Sequence, residues 1–203
     1  YLTMDNLSKK ERVAVYIDGS NFYGYLKDEK INFPKGNKFD FKAFVDFLVG
    51  DKRECVSKRY YTGVFRNIDG SQKSEELVRG QQKFFTNIQK DGFIIKRGRI
   101  MPLGSAYKEK GTDVKISVDL IVGAVDNLYD TVILVSSDTD LIPAIRYIKY
   151  RKKKLEYVGF AHAHSFGDHR RRRQRGRARI GLGGAGFHAR ERHLLGHRSG
   201  RRG

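Results

Sequence analysis

The chain has 203 residues, one cysteine, six histidines and a formal net charge of +18. That length supports one well-buried domain rather than two, and a lone cysteine, Cys55, excludes an intrachain disulfide. No apolar run approaches the ~18 residues that a membrane span needs and no signal-peptide pattern is present, so the expectation is a soluble, cytoplasmic protein with no membrane partner and with homo-oligomerisation left open.

Residues 1–11 read as a polar lead-in, and one domain is expected over 12–167. Residues 13–17 (VAVYI) form a β-branched run of the kind that makes a buried parallel strand, closed by a Gly19-Ser20-Asn21 loop. A helix is expected from Phe22 to Lys30. A second follows over 39–49, with Phe41, Phe44, Val45 and Leu48 on one stripe. Residues 55–65 read as a strand, 74–89 as a long helix stopped by Asp91-Gly92, and 93–96 as a strand. Residues 97–111 look like a basic, glycine-bearing loop. Thr112 is expected to cap a helix running to about Tyr129. Strand 131–135, helix 141–150 and strand 155–158 complete the series. Alternating strands and helices imply an α/β fold with a mostly parallel sheet covered on both faces. The order of strands in that sheet is not legible.

The acids fall where such a sheet does its chemistry. Asp18 follows the first strand, and Asp138 and Asp140 follow the strand at 131–135, at the carboxyl edge where α/β sheets bind ligands. Asp113 opens a helix. Carboxylates gathered from distant segments repel unless a cation joins them, and a hard divalent ion with oxygen ligands is the usual one. On a basic chain that combination suggests phosphodiester chemistry. The bland alternative is that Asp18 and the stretch 136–140 serve only as turn and N-cap residues. No histidine precedes His162, which argues against a histidine-based ribonuclease and against a Ser-His-Asp hydrolase within the domain.

The stretches VYIDGSNFY, KGTDVKISVDL and ILVSSDTDLIPAIRYIK, followed by LEYVGF, resemble in order and spacing the NYN family, the LabA-like branch of the PIN-like nucleases. The resemblance spans roughly four-fifths of the chain. It implies a three-layer α/β/α sandwich and Mg²⁺- or Mn²⁺-dependent cleavage of RNA. It assigns Asp18, Asp113, Asp138 and Asp140 to the metal and to catalysis, with Asn21 and the lower-ranked Asp119 in support; Ser136, in the same stretch as Asp138, is a further supporting candidate. Six residues after Asp113, about 1.7 helical turns, Asp119 points away from Asp113's face. Lys110, Arg97 and Arg99 are candidates to hold the RNA backbone, and Phe22 or Tyr23 to stack a base; each also fits an ordinary loop, surface or core role. Toprim domains need a Glu where this chain has Asp18, and haloacid-dehalogenase phosphatases need Asp-x-Asp there, so both fit worse. The alternative of another class is a catalytically silent PIN-like module that binds RNA or a protein.

From Asp168 to Gly203 there are twelve Arg, no Lys and two acids, a net +10 that leaves +8 on the other 167 residues. Such a segment is expected to lack order. It reads either as an arginine-rich arm on RNA or, from its abrupt change in composition, as translation in a shifted frame. His162 and His164 fit ordinary loop residues better than a metal pair.

Overall fold

The computed structural model describes residues 9–27, 39–67, 70–103, 106–159, 177–183 and 186–190. Strand β1 (Glu11–Asp18) runs through the middle of the fold. Its side chains alternate as a strand requires: Val13, Val15 and Ile17 enter one apolar cluster, and Ala14 and Tyr16 enter another. Burial on both faces explains why this strand reads as an unbroken apolar run.

The remaining elements follow as α1 (Gly19–Leu26), α2 (Phe41–Val49), β2 (Arg53–Val64), α3 (Gln72–Lys90), β3 (Phe93–Leu103), β4 (Ala106–Lys110), α4 (Thr112–Val125), β5 (Thr131–Val135), α5 (Ile142–Tyr150), β6 (Lys154–Gly159), β7 (Arg177–Gly183) and β8 (Gly186–Arg190). They build one sheet in the order β4-β3-β2-β1-β5-β6-β7-β8. Neighbours are parallel except at the β3–β4 and β7–β8 hairpins. Phe22, Phe44 and Ile88 bring α1, α2 and α3 onto the Val15 side, whereas Ile116, Leu120 and Ile148 bring α4 and α5 onto the Tyr16 side. The chain lays β2 to β4 on one side of β1 and then crosses to place β5 and β6 on the other. Beyond the carboxyl ends of β1 and β5 lies the switch point at which open α/β sheets bind ligands.

Four expectations change. Gly19-Ser20-Asn21 is the first turn of α1, not a loop, because Asp18 caps the helix and accepts the Asn21 N–H at 3.1 Å. That helix ends at Leu26, and residues 28–30 lie outside the described residues. The supposed loop at 97–111 is the second half of β3 plus β4, paired from Arg99↔Lys110 to Leu103↔Ala106; its glycines and charges concealed a hairpin. Thr112 does not cap α4. Gly111 does, at φ 83°, a left-handed turn that favours glycine, so the chain passes from strand to helix in one residue. The helix stops at Val125, short of Tyr129, where Asn127 turns the chain at φ 53°.

The fourth change concerns the segment after Gly167, expected to be without order. There β7 pairs with β6 from Tyr157↔Arg177 to Gly159↔Arg179, and β8 returns beside it. A ladder is made by backbone groups, so an arginine-rich composition does not forbid it, and β6 would otherwise be an open edge. His162 and His164 lie outside the described residues.

Candidate metal centre

The site begins with a turn that cannot spread. A side chain at Gly19 would come within 2.5 Å of the Tyr60 ring and 2.6 Å of the Tyr61 carbonyl oxygen. With glycine there, α1 starts directly against β2 and Asp18 stays below the surface, 4% exposed. Its carboxylate accepts the Asn21 N–H on one oxygen and the Ser136 hydroxyl, at 3.0 Å, on the other. Ser136 follows β5, and its oxygen also accepts the Asp138 N–H at 3.1 Å. Asp138 in turn accepts the Asp140 N–H at 2.8 Å. Asn21 ties the two loops from the other side, its amide oxygen accepting the Ser137 N–H at 3.1 Å and hydroxyl at 2.6 Å. The bland reading is therefore correct as far as it goes: Asp18 is a cap and Asp138 closes a turn. Both roles leave carboxylate oxygens facing one another.

One oxygen each from Asp18, Asp113 and Asp138 lies within 4.8 Å of the others. Asp113 reaches this point from the first turn of α4. Among the described residues, no Lys or Arg forms an ion pair with any of the three. Burial pushes Asp18 up to about 6, against the hydrogen bonds from Asn21 and Ser136, and the charges of Asp113 and Glu109 push the same way. Asp113 is raised as well, first by burial and then by Asp138, Glu109 and Asp140. Asp140 thus acts on the cluster through its charge and its main-chain N–H, outside the group of three. Three closely spaced oxygen donors without an internal counter-charge fit a hard divalent ion.

Glu109 went unnoticed in the sequence. It lies on β4, four residues before Asp113, and its carboxylate accepts the hydroxyls of Ser20 and Thr112. Two glycines paired across β2 and β3, Gly63 and Gly98, leave room for it. A side chain at Gly63 would press on the Glu109 stem at 3.1 Å, and one at Gly98 would meet the Thr112 hydroxyl at 2.4 Å. The pair of glycines was the available signal, but only once the strand register places them opposite each other.

Two candidates belong elsewhere. Phe22 is buried, packed against Phe39, Phe41 and Phe44 with ring centroids at 4.8, 5.5 and 5.7 Å. It has no face to offer a base; its neighbour Tyr23 is 56% exposed. Asp119 points into the sheet side of α4, where it meets Arg59 and Lys96 at 3.0 Å and accepts the Tyr61 hydroxyl at 2.9 Å. Burial alone would raise it, but the hydrogen bonds from Lys96 and Tyr61 and the charges of Arg59 and Lys96 hold it below the usual range. Asp119 is a structural counter-ion. Lys110, Arg97 and Arg99 are exposed on the β3–β4 hairpin, with the Arg97 guanidinium 5.7 Å from the Phe85 ring centroid.

Comparison with curated proteins finds no match. The crystal structure of a protein of unknown function from Vibrio parahaemolyticus RIMD 2210633 is similar, with a TM-score of 0.55 and 24% sequence identity, covering 75% of this chain and 83% of that one. At that identity the likeness speaks for the fold alone. A family model for the NYN domain matches residues 12–175, more than half of the chain and all of the segments that carry the acidic cluster. On that match the chain belongs to the NYN domain family, whose members are generally nucleases.

Proposed function

We propose that this protein is a divalent-metal-dependent ribonuclease of the LabA-like branch, built as a helix-sheet-helix sandwich. The observation that carries the reading is the meeting of Asp18, Asp113 and Asp138 within 4.8 Å at the sheet's switch point. These three carboxylates would hold the ion, with Mg²⁺ or Mn²⁺ matching hard oxygen donors. A bound ion supplies an activated water and polarises a phosphate oxygen. Ser136 fixes the Asp18 and Asp138 loops in a common register, and Asn21 clamps α1 to the loop after β5. Asp140 and Glu109 deepen the negative field that draws the ion in.

RNA is the proposed substrate because exposed cations line the hairpin that leads into α4. Opposed residues of an antiparallel pair share a face, and Arg99 opposes Lys110 while Met101 opposes Lys108. Arg97, Arg99, Lys108 and Lys110 therefore form a basic strip on one face of the hairpin, suited to successive phosphates. The chain runs from its end at Lys110 through Gly111 into the first turn of α4, which carries Asp113. Tyr23, exposed on α1, offers a ring for a base. The test is cleavage of single-stranded and structured RNA with Mg²⁺, with Mn²⁺ and with chelator. Cleavage that chelator stops supports the enzyme. Tight binding with no cleavage under either metal selects the catalytically silent RNA-binding module instead.

A further inference from the structure

Helix α4 is apolar on two opposite sides. Ile116, Leu120 and Ala124 are buried against the sheet. On the other side Val114, Val118, Val122 and Val125 are 65%, 50%, 43% and 43% exposed. At ~3.6 residues per turn these four valines fall on one stripe, with Ile121 along it. A helix that is apolar all round is normally covered on all sides, and bare apolar stripes of this kind mark contact surfaces. Two charged residues, both exposed, lie along one border of the stripe: Lys115 near the start of α4 and Asp126 just after its end. Neither forms an ion pair among the described residues. Asp119, on that same border, reaches Arg59 of β2 and Lys96 of β3. Helix α5, which packs beside α4, therefore runs along the other border, where it adds the exposed rings of Tyr147 and Tyr150.

We infer that this face joins two copies of the chain about a two-fold axis, with their α4 helices antiparallel. In such a pair each border of one helix faces the same border of the other, and the direction along the axis is reversed. Lys115 of each copy then meets Asp126 of the other. The midpoint between these two positions falls between Leu120 and Ile121. About that point the level of Val118 lies between the levels of Val122 and Val125 of the second copy, so the valines enter each other's gaps rather than collide. One surface thus supplies both the apolar seam and both halves of the charge pairing. The arginine-rich segment after Gly167, with twelve Arg and two acids between Asp168 and Gly203, has no comparable run of apolar side chains to fill the stripe.

The experiment is sedimentation equilibrium of the full chain, freed of nucleic acid, over a range of concentrations. A monomer–dimer equilibrium is expected. Val118→Asp should raise the dissociation constant by about 30-fold or more, as loss of a central contact does, while the far-ultraviolet dichroism stays unchanged because position 118 is half exposed. Lys115→Asp should weaken the dimer, and adding Asp126→Lys should restore it, since the pairing returns with its signs exchanged. A chain that is monomeric throughout overturns the inference. So does a dimer indifferent to Val118→Asp, or a double exchange no better than the single one.

Discussion

The Ser136 hydroxyl donates to the Asp18 carboxylate at 3.0 Å while its oxygen accepts the Asp138 N–H at 3.1 Å. The ladder fixes β1 beside β5, and one buried hydroxyl ties the loop after β5, which carries Asp138, to Asp18 at the end of β1. Outer groups that orient ligands typically cost 10–100-fold in affinity or activity when removed. Ser136→Ala should lower RNA cleavage by about that factor and raise the metal concentration needed for half-maximal rate. An unchanged metal titration would show that the loop holds its register without this hydroxyl.

Asp18→Asn keeps the shape of the side chain and removes its charge. Cleavage should fall to background, and Asp138→Asn should do the same. In the absence of metal, however, Asp18→Asn should be at least as stable as the parent at neutral pH, because it relieves a buried charge with no cationic partner. Wild-type cleavage by either purified variant would sink the nuclease mechanism.

The pH dependence has a definite sign. In the unfolded chain Asp18 titrates near its ordinary value of 3.8, and in the fold near 6. A carboxyl with a raised pKa holds its proton more tightly when folded. Its contribution is therefore fully present below about 4 and is lost as pH rises through about 6, a loss of about 3 kcal/mol. The gap in metal-free stability between Asp18→Asn and the parent should widen across that window. Asp130, held down to about 2 mainly by its hydrogen bond from Arg12, acts in the opposite direction at lower pH and cancels in the comparison. A gap constant from pH 4 to 7 would contradict the buried, unpaired state of Asp18.

Adding Mn²⁺ or Mg²⁺ should raise the melting temperature, because an ion that binds only the folded state stabilises it by mass action. The rise should be absent from a variant lacking both Asp138 and Asp140. Asp119→Asn is the useful contrast. It should lower the metal-free melting temperature, since it strands Arg59 and Lys96, yet leave the metal-induced rise intact. An equal rise in the Asp138/Asp140 variant would place the ion elsewhere.

The sequence was most legible where one physical signal dominated. The β5 run 131–135 is buried at every position and apolar from Val132 to Val135 because it is covered on both faces, and its expected bounds match the strand. Asp18, Asp113 and Asp138 could be picked out because each sits at the end or start of a regular element. What stayed hidden depended on distant backbone. The β3–β4 hairpin lacks an apolar period because its outer face carries Arg97, Arg99, Lys108 and Lys110, and Glu109 gains meaning only when β4 lies against Gly63 and Gly98. Phe22 looked available for a base because it follows Asn21, but the first turn of α1 rotates it into the aromatic cluster and leaves Tyr23 outside. Asp119 was separable from the others by helical phase alone.

The segment after Gly167 gives the last prediction. Among the described residues the two apolar clusters lie between Val13 and Val158, and β7 and β8 join the sheet by backbone pairing at the β6 edge. Truncation after Gly167 should therefore shift the unfolding midpoint little and leave the rate on a short RNA nearly unchanged. It removes twelve Arg, however, and each phosphate neutralised on a single strand contributes about −0.7 to the slope of log affinity against log salt. Binding to long RNA should weaken and its salt dependence flatten. If truncation unfolds the domain, the segment supplies packing beyond its ladder with β6. If the salt slope does not move, the arginines do not touch RNA. Intact mass measurement on the native protein decides whether the arginine-rich sequence is the one the cell makes.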